Sequence, residues 1–489
     1  MWVAFVAVVV VAALLAPEPA PEPPELPAGR PFVWGADELW QALEHRFEVA
    51  RATGCTALAG GIESGLARGR TLVGALAGRA VPCDAPVLEE LERTVFEIGP
   101  EIAACPAYLA DYAALVASLR TAVKNQSRAW DPGSQAARDR LYRLLYGSRA
   151  ALEEAMLQAP AEAVPALVAG VEERSAAPAA WLRGVEIRSG DLLVSRGGAP
   201  VSALIARGND YPGNFSHVAL AHVDDAGAIA VVEAHIERGV AVASADAYLH
   251  DVKLRIMVLR LRADHLALVA DPLLPHRAAT LALERARRRH IPYDFAMDWR
   301  QHDRLFCSEV AAAAYEAYGV RLWSALSRIS SPGTAGWLAA FGVRNFVTQE
   351  PSDLEYDPQL AVVAEWRDPD VLFKDHVDNA VVDALLEAAE GGLRLEVSGP
   401  MRPVARLAKA YSVALNLAGE VGPVPEGMSA ATALRARRLD ELHAGLVADV
   451  LTRAGALAVA RGHRPPYWEL VTLARESLAA RRIAPPAGG

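Results

Sequence analysis

Cysteine is scarce in this chain, with four in 489 residues. That excludes a disulfide-dense scaffold and leaves each cysteine to be explained individually. Lysine is almost missing: Lys124, Lys253, Lys374 and Lys409 are the only ones, and Arg carries nearly all the positive charge. Together with abundant Ala, this bias reads as that of a GC-rich bacterial genome. No block of basic residues occurs, and the net charge is −10. A nucleic-acid binder held by phosphate contacts is thereby excluded. No internal repeat appears, and the one low-complexity segment is a proline-rich stretch near the N-terminus. What is plentiful is apolar surface, at 52% of residues, which excludes broad disorder and allows a sizeable core. At roughly 100–200 residues per domain, the length predicts two to four domains.

Residues 2–16, WVAFVAVVVVAALLA, are uninterruptedly apolar. The run is somewhat short for a span of about 20 residues and suits the apolar part of a secretory signal, so 1–16 is read as a signal peptide or membrane anchor. Residues 17–32 are rich in Pro and form a stiff linker. The expected location is exported, either periplasmic or anchored in the bacterial cell envelope. No cysteine follows the run, so attachment through a lipidated cysteine is not expected.

Residues 33–183 carry apolar positions at three- and four-residue spacing, which predicts a helical bundle. Cys55, Cys83 and Cys105 all fall here. In an oxidising compartment one pair would be bridged and one thiol left over; the sequence does not decide the pairing, and the spacings match no zinc pattern. From 184 to 370 the texture changes to short Val- and Ile-rich segments separated by turn residues, with helices returning in RAATLALERARRRH and CSEVAAAAYEAYG. This predicts an α+β domain with an antiparallel sheet. Residues 371–489 read as a C-terminal helical domain. Two all-α flanks thus enclose one α+β core.

Two elements of the core carry chemistry. In FSHVALAHVDDAGAIAVVEAHI, a turn centred near Asp225 sets His217 opposite Glu233 or its neighbour. A carboxylate accepting one ring N–H fixes the tautomer and frees the other nitrogen for base chemistry. His235 shares the face of Glu233, which raises a metal reading (His217, Glu233, His235). No further ligand stands at a supporting spacing, so no metal and no cofactor is expected. The second element is RLFCSEVAAAAYEAYG, which sets Cys307 in the first turn of an alanine-rich helix. Unpaired amides and the helix dipole there favour a thiolate, which predicts a thiol pKa below its ordinary value of about 8.5. The same amides could donate to an oxyanion. A lone cysteine at a helix start with a His–carboxylate pair on neighbouring strands is the pattern of a thiol hydrolase.

The words GDLLVSRG (190–197), SHVAL (216–220), VVEA (231–234), PYDF (292–295), FCSEVAAAAY (306–315) and TQEPSDL (348–354) occur in that order. With them, residues 190 to about 368 resemble the circularly permuted papain-like amidases of the NlpC superfamily, the YiiX/YaeF-like group. The resemblance implies a permuted papain-like fold with Cys307 as nucleophile, His217 as general base and Glu233 as the residue orienting it. It also implies that Tyr293 lines the site or helps hold the oxyanion. The expected activity is cleavage or transfer of an acyl group from an amide or ester through an acyl-enzyme. The substrate is expected to be lipid-like, lipoprotein or peptide. A peptidoglycan endopeptidase or amidase is the alternative enzyme, and an idle envelope scaffold is the alternative of another class.

Overall fold

The computed structural model describes residues 14, 16, 23–34, 38–251, 253–367, 369–397 and 399–483. The leader expected at 1–16 therefore lies outside the described residues except for Leu14 and Ala16. The start of the linker lies outside them too. The linker's end is docked: Phe32 N–H donates to the Asp210 carbonyl at 2.8 Å, and its ring packs edge-on against Tyr142.

The N-terminal bundle comprises α1 (Glu38–Thr53), α2 (Cys55–Ala75), α3 (Pro86–Ala104), α4 (Leu109–Gln126), α5 (Gln135–Leu141) and α6 (Ser148–Gln158). In α3, Pro86 pre-sets the first turn, and Leu88, Leu91, Val95, Ile98 and Ile102 recur on one buried face. Cys55 and Cys105 are disulfide-bonded, tying the start of α2 to the end of α3, and Cys83 is left free.

The sheet begins upstream of residue 184. Its strands are β1 (Leu167–Ala169), β4 (Leu192–Gly197), β5 (His217–Val223), β6 (Ile229–His235), β7 (Gly239–Ser244), β8 (Lys253–Leu261) and β11 (Leu360–Arg367). They lie in the order β1-β11-β8-β4-β5-β6-β7, every neighbouring pair antiparallel. A separate hairpin joins β2 (Ala179–Leu182) to β3 (Val185–Arg188), and β9 (Ser327–Arg328) pairs with β10 (Val347–Thr348). Helices α7 (Pro200–Arg207), α8 (Ala245–His250), α9 (Leu266–Ala270), α10 (Leu274–Arg288), α11 (Cys307–Glu316) and α12 (Pro332–Phe341) complete the core. One sheet face meets α10 and α11 through Leu192, Val218, Leu220, Val232, Ala278, Ala282, Val310 and Ala311. The alternate residues Leu193, Ala219, Ala221 and Val231 form a smaller core on the other face with Tyr248. The chain ends in α13 (Pro369–Glu390), α14 (Arg402–Leu417), α15 (Ala430–Arg461) and α16 (Tyr467–Ile483). The architecture is α+β with a papain-like permuted core between helical flanks.

The flanks are joined to the core by buried charge. Arg255 of β8 reaches Glu153 of α6 at 2.6 Å and Asp375 of α13 at 2.5 Å. Arg149 of α6 pairs with Glu355 at 2.6 Å, and Arg367 with Glu365, both of β11, at 2.5 Å. Burial alone would raise the Glu153 carboxyl, but Arg255, Arg367 and Arg149 hold it far below the usual carboxylate range. Such pairs add little over an apolar core of equal shape. They specify which surfaces meet, because any other pairing would strand a charge away from water.

Candidate active site

The site is built where β5 and β6 part. Main-chain pairing runs from Val223↔Ile229 to Ala219↔Glu233, which is a shift from the register expected from the sequence. The cause is the turn. Asp224 accepts at Oδ1 from the N–H groups of Ala226 and Ala228, and Gly227 adopts φ 80°, so the loop is wider than a two-residue turn centred on Asp225. Glu233 consequently stands opposite Ala219 and reaches His217 diagonally. The contact survives the shift: His217 Nε2 lies 2.7 Å from Glu233 Oε2. The other oxygen, Oε1, lies 3.1 Å from His235 Nε2.

Electrostatics assign the protons. Burial would raise the Glu233 carboxyl, but the hydrogen bonds from His217 and His235 outweigh it and keep Glu233 ionised. An ionised carboxylate only accepts, so Nε2 of His217 carries the hydrogen and Nδ1 holds the lone pair. For His217 burial outweighs Glu233, and the imidazole titrates below its ordinary value. His235 is more exposed, and its bond to Glu233 raises it. Both carboxylate oxygens are thus engaged by imidazole N–H groups. Among the described residues no three His, Cys, Asp or Glu side chains gather as a metal site.

Cys307 opens α11, and its placement follows from the sequence around it. Ala311 to Ala314 let the helix lie close on the sheet, and Tyr315 Oη donates to the Gly190 carbonyl at 2.6 Å. Gly190 is required there: its φ is 98°, and a Cβ would stand 2.4 Å from Pro275 Cβ. Next to it, Asp191 takes Arg260 in a two-pronged pair at 2.8 Å. At the head of the helix, Glu309 Oε2 accepts from Phe306 N–H at 2.9 Å. The Cys307 sulfur lies 3.9 Å from the carbonyl oxygen of Ser216, so it meets the strand beside His217. Ser352, from the TQEPSDL word, fastens that same strand entry by accepting from Phe215 N–H and donating to Phe215 O, both at 3.0 Å.

The expected depression of the thiol pKa is not found. Cys307 is 4% exposed, and burial pushes its thiol up to about 12 despite backbone hydrogen bonding from Val218 and Ser308. A helix N-terminus favours a thiolate by at most a kcal/mol or two, and desolvation exceeds that here. Burial thus favours the protonated thiol at Cys307 and the neutral imidazole at His217.

Tyr293 stands beside the head of α11. Leu305 N–H donates to Pro292 O at 3.1 Å and Asp294 N–H to Leu305 O at 3.3 Å, which laces the two segments together. Burial, then Cys307 and Glu350, raise the Tyr293 phenol well above its ordinary value, so it keeps its proton and can donate. Glu350 itself is a buried acid electrostatically coupled to Cys307 and Tyr293. Its Oε2 has no hydrogen-bond partner among the described residues, and burial, then Asp353, raises its carboxyl. Glu350 lies within the TQEPSDL word, but a lone acid flanked by Gln and Pro gives no spacing signal of its own. The C-terminal flank also borders the site. A Cβ on Gly427 would stand 2.6 Å from the Phe295 ring, and Glu426 Oε2 lies 2.7 Å from His290 Nε2.

A cavity of about 530 Å³ opens elsewhere, between the flanks, against Trp34, Phe47, Glu154, Asp383 and Tyr467. None of Cys307, His217 or Glu233 lines it.

An antiparallel sheet whose His- and Glu-bearing strands precede a cysteine-headed helix defines the class: a papain-like thiol-enzyme core in permuted order. Residues 186–364 match the family described as permuted papain-like amidase enzyme, YaeF/YiiX, C92 family. That stretch is similar to this family, and the match supports a cysteine hydrolase or amidase activity. Comparison with curated proteins and with solved structures returns no match.

Proposed function

We propose that the chain is a thiol hydrolase or acyltransferase of the cell envelope that works through an acyl-enzyme. Cys307 is the nucleophile, His217 the base and Glu233 the group that orients it. The observation that carries this reading is the ionised Glu233 on His217 Nε2, which leaves Nδ1 as a lone pair on the strand that the Cys307 sulfur meets.

The steps follow from the proton inventory. The thiol is neutral at rest, so its proton moves to His217 Nδ1 as sulfur attacks the amide or ester carbonyl. Glu233 stabilises the imidazolium that forms. The oxyanion is met by the Cys307 backbone N–H at the helix start and by the protonated phenol of Tyr293. The imidazolium then protonates the leaving amine or alcohol, and water or an acceptor releases the acyl group. Nothing in these steps calls for a metal or cofactor.

An oxidising compartment is supported by the apolar run at 2–16 and by the Cys55–Cys105 disulfide. The substrate class we favour is a lipid-like or lipoprotein acyl bond; the Phe295 ring, packed edge-on against Tyr293, gives the phenol an apolar neighbour.

The test compares wild type, Cys307→Ala and His217→Ala on acyl esters, acylated peptides and peptidoglycan fragments, with intact-mass detection of an acyl adduct. Expected is an adduct on Cys307 and loss of at least about a thousandfold in rate for either variant. Full activity in Cys307→Ala, or labelling confined to Cys83, would overturn the reading. Turnover of peptidoglycan fragments alone would replace the lipid-like substrate with a wall peptide.

A further inference from the structure

Helix α14 (Arg402–Leu417) has an apolar outer face. Val404, Leu407, Tyr411 and Leu417 are 54%, 57%, 59% and 87% exposed. Ala410, Val413, Ala414 and Ala418 are exposed between and beyond them, and Val421 extends the surface into the next loop. The inward side is small and polar: Ala405 and Ser412 are buried, and Ser412 Oγ accepts from Val424 N–H at 2.9 Å. This inverts the usual pattern, in which the apolar stripe of a helix faces the core. The helix carries Arg402, Arg406 and Lys409 and no acid, while Glu420 and Glu426 stand in the following loop. An apolar face flanked by cations, on a helix of this length, is the composition of an interfacial helix.

A second observation bears on what covers it. Arg406 Nη1 donates to the Leu14 carbonyl at 2.9 Å, so Leu14, near the end of the apolar sequence run, lies against this helix. That run has no polar side chain on any side. Laid over α14, it would cover one apolar face and leave its own far side in water. A bilayer removes both surfaces from water at once.

We propose that the exposed face of α14 rests on a lipid bilayer with an anionic surface, beside the apolar N-terminal run. The loop leaving α14 carries Glu426 and Gly427 against His290 and Phe295, so the same contact holds the segment bearing Tyr293 and Phe295 near the membrane. The inference stands apart from the thiol chemistry, because it uses no reactive group.

The test uses the full chain with an environment-sensitive fluorophore at Tyr411→Cys, made in a Cys83→Ser background, and a control label at Trp181→Cys. Trp181 is 73% exposed, on the β2–β3 hairpin. On vesicles of phosphatidylcholine with phosphatidylglycerol, the label at 411 should shift to the blue. It should also lose quenching by aqueous iodide and gain quenching by a lipid-borne nitroxide, while the label at 181 stays open to iodide. Leu407→Glu should return the label at 411 to water even while the chain remains bound. A photo-crosslinker in place of Leu407 gives the independent readout by mass spectrometry. Lipid adducts support the proposal. Adducts to residues 2–16, adducts to a second copy, or a label at 411 that stays in water would each overturn it.

Discussion

Glu233 stands two residues along from the position facing His217, yet its Oε2 comes within 2.7 Å of His217 Nε2. Diagonal neighbours on an antiparallel pair are about 7–8 Å apart at Cα, which a glutamate spans and an aspartate reaches only with difficulty. The side chain therefore has the length its register demands. Its second oxygen, held by His235 at 3.1 Å, fixes the plane of the carboxylate.

Removing that charge while keeping the shape should be costly to rate. In Glu233→Gln the amide oxygen can still accept from His217 Nε2–H, but it no longer stabilises an imidazolium. kcat/KM should fall by about a hundredfold or more. The pH profile should move with it. Wild-type activity rises with pH as His217 loses its proton, on a limb below the ordinary histidine value because burial lowers it. Without the neighbouring negative charge the imidazolium is weaker still, so the acid limb of the variant shifts to lower pH. A limb that moves upward, or stays fixed with full activity, would contradict the assignment of Glu233 to His217.

The buried thiol predicts an unusual order of reactivity. Cys83 is partly exposed and Cys307 is buried with its thiol pushed up to about 12. A small alkylating agent such as iodoacetamide at neutral pH should therefore label Cys83 first, read by peptide mass spectrometry. An acylating probe that occupies the site should label Cys307 instead, because proton transfer to His217 accompanies attack. His217→Ala should abolish the second labelling and leave the first. Faster alkylation of Cys307 than of Cys83 would show a standing thiolate instead.

Much of this arrangement was legible in the chain, and the exceptions have physical reasons. The strands announce themselves through Val and Ile clusters, and the cysteine-headed helix through Cys307 followed by alanines. The hairpin register was not legible to the residue, because the Asp224 side chain and Gly227 widen the turn in a way hydrophobic alternation does not record. β1 was missed since Leu167–Ala169 is too short to show a period. The thiol pKa went the other way because burial is a property of the assembled chain. So is the pairing of Arg255 with Glu153 and Asp375, charges from three distant segments that alone read as solvated faces.

That charge cluster makes the flanks part of the folding unit. Glu153→Ala leaves Arg255 short of a partner in a buried setting and should cost about 3–5 kcal/mol, seen as a lower urea midpoint. The pH dependence follows in sign. Glu153 and Glu233 have folded pKa values depressed below the ordinary value of about 4.3. Their stabilising contribution is complete above that value and is lost as pH falls through the folded pKa. The gap between wild type and Glu153→Ala should thus narrow on acidification. A gap that widens toward low pH would show that Glu153 is not ionised in the fold.

Glu309 should behave in the opposite sense. Burial pushes its carboxyl up to about 9, with Asp294 and Asp298 adding to the rise against the hydrogen bond from Phe306 N–H. The folded chain therefore keeps a proton that the unfolded chain releases near 4.3, and stability declines as pH rises between about 4.3 and 9. In Glu309→Gln the amide oxygen can still accept from Phe306 N–H and nothing remains to ionise. The variant should match wild type below pH ~4 and exceed it at pH ~8 by up to about 5 kcal/mol, measured by urea unfolding across pH. Because Glu309 holds the head of α11 and touches no reacting atom, activity at pH ~7 should be retained within a few fold. A Glu309→Gln chain that is less stable than wild type at pH ~8 would mean that the carboxylate is ionised in the fold and paired there with a cation, His302 at 3.8 Å being the nearest.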